Sequence, residues 1–357
     1  GGGRRVTPPA FAVDPGQPLD VVDGRAVGGF TSVAWAGLLA NGAIAVLDDR
    51  VSELSFFPAG APPFIAGHEG DGPGEFRHAQ DAGIGRGDSV FVVASGRMSV
   101  FTDAGVFARS VPIPFAGEYQ TLVGMFGDSV VVLSSWGLDY SFEKFGLRMD
   151  SATFFTIDAE RGALRDTFRL PERHSYYQSA STRQYLWTFP PFFGRSVAGV
   201  LDSTIVWGMG DDSTLYLLAA DGRRLDSLHV SMPAMPLDRA EIEAAETERL
   251  NRPRNDAWVR RNWRRMFDDL DFPERHPFFD RLVVGAGGLL WLRSPGRTPE
   301  DSIRWWGEAR TGRAMKVVVV PPDLDIVQFM DSTVVAIRKN ENDVQTVLVL
   351  RLVPVGP

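Results

Sequence analysis

A chain of 357 residues with 44% hydrophobic and 23% charged residues can bury a substantial core, and its 37 glycines and 24 prolines mark it as rich in turns. The formal net charge of −8 excludes a general nucleic-acid binder, which needs a basic footprint. The absence of cysteine excludes disulfides, thiolate metal sites and cysteine nucleophiles.

The chain opens GGGRRV without a methionine, which points to a removed leader or to a start partway along the gene product. Residues 1–20 are rich in Pro and Gly and read as an extended arm that can end in a strand. A pattern then recurs in which an apolar run, a polar turn and a β-rich run alternate. Its first copy turns at Asn41-Gly42, the strongest short-range hairpin signal. Later copies place Asp-Ser at 88, 128, 202 and 331, and Gly287-Gly288 takes that role once. Where nothing is inserted the anchors are about 40 to 47 residues apart, the length of a four-stranded blade. Six anchors predict an all-β, six-bladed β-propeller over residues 21–353, with 354–357 as a tail. The stretch VVDGRAVG at 21–28 can complete the last blade beside the C-terminal VLVLRL.

Two spacings are long. Between 128 and 202 the sequence predicts a long hairpin (138–151) and a polar, aromatic link (172–183). Between 202 and 287, residues 236–272 are rich in helix formers, with Pro236 and Asp238 near an N-terminus. This predicts a helical insertion between the fourth and fifth blades. No run of about 18 apolar residues occurs, so no transmembrane segment is predicted.

The stretch Gly67–Phe76, GHEGDGPGEF, reads as the shaped link between the first two blades. Gly67, Gly70, Gly72, Pro73, Gly74, Glu75 and Phe76 fit the form G-x-x-G-x-G-P-G-E-F. In this the chain resembles the NHL-like six-bladed propellers of bacterial exported proteins over roughly residues 20–353. The resemblance implies the propeller and an extracytoplasmic, periplasmic setting. It implies no catalytic residue.

Several clusters invite chemistry. His68, Glu69, Asp71 and Glu75 crowd the glycine-rich link, but one His among loop carboxylates lacks a recognised ligand spacing, so the reading is structural and no metal or cofactor is assigned. Nor does the link end in the lysine-containing signature of a phosphate loop. Arg86-Gly87-Asp88 spells an adhesion tripeptide at an ordinary hairpin turn. No HxH, HExxH or GxSxG occurs, so no catalytic residue is assigned.

The basic aromatic run after Arg252 is the main candidate. Trp258, Arg260, Arg261, Trp263, Arg264 and Arg265 are residue types enriched in interface hot spots. The same run could instead fold onto the propeller with its tryptophans buried and its arginines paired to Asp268, Asp269 and Asp271. Phe57, Phe64, Trp187, Phe189, Phe192 and Phe193 lie in Pro- and aromatic-rich stretches that can add a sticky rim. The expectation is a non-catalytic propeller that binds a protein partner, such as a membrane complex, through this insertion and these loops. The alternatives are a metal-dependent hydrolase or lyase, or a small-ligand or glycan binder, using the axial funnel.

Overall fold

The computed structural model describes residues 8–114, 119–127, 130–136, 146–181, 184–253, 255–296, 301–310 and 314–355. Among these residues the chain is all-β with two α-helices in one insertion. Four sheets stand alone. The first holds Val33–Leu38, Ile44–Asp48, Glu53–Phe57 and Phe64–Gly67, and the second Ala79–Ile84, Val90–Ala94, Arg97–Phe101 and Phe107–Pro112. The third has five strands, from Gln120–Phe126 to Gln184–Thr188, and the fourth runs from Ser196–Leu201 to Arg224–His229.

The rest departs from the expected six separate blades, because the remaining strands form one nine-stranded sheet. Strand Ala10–Val13 joins two groups. It runs parallel to Ala314–Val320, the last strand of the group that begins at Arg281–Val284. On its other edge it runs antiparallel to Gln345–Pro354, the last strand of the group that begins at Leu324–Phe329. Asp20–Val22 pairs with the same C-terminal strand at Val347–Val349. The expected arm is therefore built into the sheet.

Both faces of most strands are apolar because each sheet packs between two others. Ala45, Leu47, Leu54 and Phe56 of the first sheet meet Val90 and Val92 of the second, while Ile44 and Val46 on the opposite face meet Val335, Ile337 and Val347. Equivalent cores join the second sheet to the third, the third to the fourth, and the fourth to the strands after Arg281. Another joins those strands to the last group, with Trp291 stacked on Phe329 at 4.1 Å. The first strands of the successive groups touch in chain order, and Leu324–Phe329 touches Val33–Leu38. Glycines let them approach: a Cβ on Gly83 would lie 2.5 Å from Leu122, and one on Gly199 2.8 Å from Val284.

The link between the first two sheets is made by the glycine-rich stretch. Gly70 and Gly74 have φ of +158° and +78°, and Glu75 folds back to accept from Gly72 N–H at 2.8 Å. Phe76 is fully buried, and its N–H donates to the His68 carbonyl. Asp71 pairs with Arg77 at 2.9 Å.

One expectation is corrected. Residues 172–181, read as a link, belong to the 18-residue strand Leu164–Ser181, which pairs with Gly146–Asp158 along most of its length. Charges along this strand pair are met locally, by the bond of Arg173 to Glu172 and, on the partner strand, by those of Arg148 to Asp150 and to Ser175. Of the long hairpin expected at 138–151, residues 146–151 are strand and the others lie outside the described residues.

Two carboxyl groups held between sheets give stability a pH dependence. Burial pushes Glu308 up to about 7 against the single N–H of Ser231, and its Oε2 has no hydrogen bond among the described residues. Burial likewise raises Asp81 to about 7, although Leu122 and Ala82 N–H groups and the charge of Arg281 oppose the shift. A carboxyl whose pKa is higher folded than unfolded binds its proton more tightly in the native state. That stabilisation is full below the ordinary carboxyl values and is lost as pH rises through 7. Between pH 5.5 and 8 we expect a loss of order 2 kcal/mol from Glu308 alone. Urea unfolding of Glu308→Gln at the two pH values checks this. The variant's pH slope should be flatter than the wild type's, and an equal slope contradicts the assignment.

Candidate functional site

The insertion is a helical hairpin. Helix α1, Arg239–Leu250, starts in a capping box between Asp238 and Glu241. Helix α2, Ala257–Asp269, is capped by the Asp256 carboxylate accepting from Val259 N–H. Residues three and four apart share a helix face, so the sequence of α2 divides cleanly. Asn262, Trp263, Met266 and Phe267 are buried, and Arg260, Arg261, Arg264 and Arg265 are exposed on the opposite side.

The inner side forms a small core of its own. Trp263, Met266 and Phe267 gather with Ile242, Ala245, Trp258 and Phe272 against Tyr176 of the long strand. Arg249 lies over the Trp263 ring at 5.1 Å. Tyr176 Oη donates to Asp269 at 3.0 Å, and burial, reinforced by that bond and charge, pushes the phenol up to about 12. Trp263, expected as a surface anchor, is thus a core residue of the insertion, and Trp258 is half-buried beside it.

The aromatic stretches do not gather on one rim. Phe64 stacks on Phe56 at 5.9 Å and Phe57 meets Phe30 edge-on, both at the first sheet. Trp187 and Phe189 meet edge-on, and Phe189 lies under Arg173 at 4.5 Å. Phe192 and Phe193 serve as the seat of the insertion, each against Phe272. Phe192 holds φ at +69°, a costly conformation for a bulky residue, while its ring packs on His276.

Between seat and insertion lies a half-open cleft of about 370 Å³, lined by His174, Phe193, Asp211, Pro273, Glu274, Arg275 and His276. Each histidine has a carboxylate near it, though only His276 is hydrogen-bonded to its own. His174 Nδ1 is 3.5 Å from Asp211 Oδ2, and buried His276 has Nε2 3.0 Å from Glu241 Oε1. Asp211 also accepts from Gly194 N–H, and Glu241 from Asp238 N–H, so both carboxylates are fixed by backbone bonds. Histidine–carboxylate pairs can move protons, but among the described residues no hydroxyl nucleophile lines the cleft. Among the described residues, no three His, Asp or Glu side chains are grouped to hold a metal.

Arginines 260, 261, 264 and 265 are arranged against the interests of the helix. Arg260 with Arg264, and Arg261 with Arg265, stack like charges at i,i+4, and Arg260 and Arg261 sit near the positive end of the helix dipole. Among the described residues, Arg265 alone of the four makes an ion pair, with Asp269 at 3.5 Å. Arg260 donates to the Asn255 carbonyl, and Arg261 and Arg264 make no ion pair among the described residues.

No family model matches the chain, and no curated protein matches it. Solved structures do resemble it. A DUF4221 family member from Bacteroides vulgatus has a TM-score of 0.50 and 10% identity over 91% of this chain and 94% of its own. A protein of Bacteroides fragilis named as exported has a TM-score of 0.49 and 14% identity over 97% and 99%. Virginiamycin B lyase from Staphylococcus aureus has a TM-score of 0.42 and 10% identity over 90% and 80%. Identities this low concern the fold alone, and the fold is propeller-like. Among the described residues, no helix is long and apolar enough to cross a membrane.

Proposed function

We propose that the chain is an exported, six-bladed propeller that acts as a non-catalytic interaction subunit, with α2 as its docking element. Six inter-sheet cores closing on themselves favour six blades, with Ala10–Val13 as a weld between the last two. The GPGEF link supports the extracytoplasmic setting through the family it resembles.

The observation that carries the functional reading is the exposed arginine face of α2. It stands on a helix whose other face is fully used, in a chain of net charge −8. Four like charges on one exposed helix face do not stabilise the fold, and they complement an acidic surface on a partner protein. Arginine suits that role because its planar fork pairs with carboxylates bidentately.

The test is purification from native membranes alongside the double variant Arg261→Glu and Arg264→Glu. The wild type should retain a stoichiometric partner protein. The variant should lose it by an order of magnitude or more, while its own stability changes by less than about 0.5 kcal/mol. A protein recovered alone, or a partner retained equally by the variant, defeats the reading.

A further inference from the structure

Beside the cleft, the starting ends of three neighbouring strands hold a second concentration of charge. Arg195 immediately precedes Ser196–Leu201, Arg281 opens Arg281–Val284, and Asp325 is the second residue of Leu324–Phe329. Successive strands of this trio are in contact, so the three side chains start from one end of the ring of first strands. Arg173 joins them from the long strand through a backbone bridge to Arg195.

The partners of these groups can be followed one by one. Arg293 binds the Asp280 carboxylate through two bonds of 2.7 and 2.9 Å and reaches Asp325 at 3.3 Å. Arg281 pairs with the other Asp325 oxygen. Arg173 grips Glu172 with its guanidinium over Phe189. Arg195 spends only Nε, which donates to the Asp280 carbonyl at 2.8 Å. Its Nη atoms make no hydrogen bond or ion pair among the described residues. Among the described residues these four guanidinium groups face the carboxylates of Glu172, Asp280 and Asp325, and Arg195 is the one whose Nη atoms are left open. Asp81, whose charge also acts on Arg281, cancels only part of the positive charge, because burial raises its pKa to about 7 and favours its neutral form.

Arg195 is open to solvent yet walled by protein. That enclosure pulls its pKa below that of an ordinary arginine; the charge of Asp280 opposes the shift, and the like charges of Arg293, Arg173 and Arg281 add to it. A guanidinium held by one bond to a carbonyl, with its paired outer N–H groups free, is preorganised for a planar oxyanion. Its neighbours have their carboxylates already engaged, so an incoming anion meets net positive charge without displacing an ion pair.

We propose that Arg195 is the centre of a binding site for a small oxyanion, a carboxylate or a phosphate group, at the starting ends of Ser196–Leu201, Arg281–Val284 and Leu324–Phe329. The ligand docks on the outer N–H groups of Arg195, with Arg281 and Arg293 supplying the surrounding potential. This site is separate from the arginine face of α2 and does not depend on it.

The experiment is calorimetric titration of the full chain with succinate and with inorganic phosphate at low ionic strength. Saturable binding of at least one is expected, and which of the two binds decides the source of the oxyanion. Arg195→Gln should weaken it at least tenfold, the loss of a charge-assisted bond. Arg195→Lys, which keeps the charge and loses the fork, should weaken it less, and it serves as the test if the glutamine variant does not fold. The Arg261→Glu, Arg264→Glu protein should bind as the wild type does. Three results each overturn the proposal: no saturable binding of either anion, equal binding by wild type and both Arg195 variants, or equal losses in the α2 variant, which would mean diffuse attraction to a basic surface.

Discussion

A chain that begins at Asp23 is expected to lose most of its stability and to aggregate. The two N-terminal strands contribute Val13 and Val22, buried to 7% and 5% exposure, and half-buried Phe11. Burial of such side chains is worth about 1.5–3 kcal/mol each, so about 5 kcal/mol is lost with them. The whole stability of a domain is of order 5–15 kcal/mol. The deletion also removes bonds such as Val317 N–H to the Pro9 carbonyl (3.0 Å) and Leu19 N–H to the Val349 carbonyl (2.8 Å). It bares both edges that Ala10–Val13 covers, and uncovered edges invite pairing with other chains. Urea unfolding and light scattering of the truncated protein check this, and addition of a peptide covering residues 8–22 should restore part of the lost midpoint. A truncated chain that melts within a few degrees of the intact one would show that the strands are ornamental to the fold.

The role of these strands was only half legible in the sequence. VVDGRAVG sits beside a C-terminal β-rich run in any ring, so the pairing of Asp20–Val22 with Val347–Val349 follows from the closure expected of a repeat fold. The parallel insertion of Ala10–Val13 does not follow, because it obeys no repeat. The hairpin anchors were readable for a local reason: turn chemistry is written in adjacent residues. Asn41-Gly42, Asp88, Asp202 and Gly287 each fall between the first two strands of a group, and Gly42, Asp88, Asp202 and Gly287 all adopt positive φ. Leu164–Ser181 was hidden because its charged middle is neutralised by ion pairs rather than turned to solvent, which hydropathy does not register. The division of α2 into an apolar and a basic side could be read from its spacing, whereas the candidate site at Arg195 could not. Its isolation is defined by what Asp280 and Asp325 already hold, and those residues are distant in sequence.

The second large effect is expected in the glycine-rich link, at the contact of Gly67 with Phe76. Phe76 is fully buried, meets Phe101 edge-on at 6.3 Å and lies in the core between the first two sheets. Truncation of a phenylalanine so placed costs about 3–5 kcal/mol, so Phe76→Ala should unfold at a much lower urea concentration. Gly67 is the surface against which that ring rests. A Cβ there would lie 2.6 Å from Phe76, 2.9 Å from Phe101 and 2.9 Å from the Gly74 carbonyl. The backbone at Gly67 does not require glycine, so the penalty of Gly67→Ala is one of space alone, about 1–3 kcal/mol as for other overpacked cores. The two changes should not add. With the Phe76 ring gone, a methyl at Gly67 enters the void, and the double variant should be more stable than the sum of the singles predicts by at least 1 kcal/mol. Had the link been a metal or phosphate cradle, its glycines would be needed for close approach of a ligand and Phe76 would be incidental, giving additive losses. Additivity in the double-mutant cycle would therefore refute the packing account, and a favourable coupling would fix the link as the hinge plate on which the first two sheets meet.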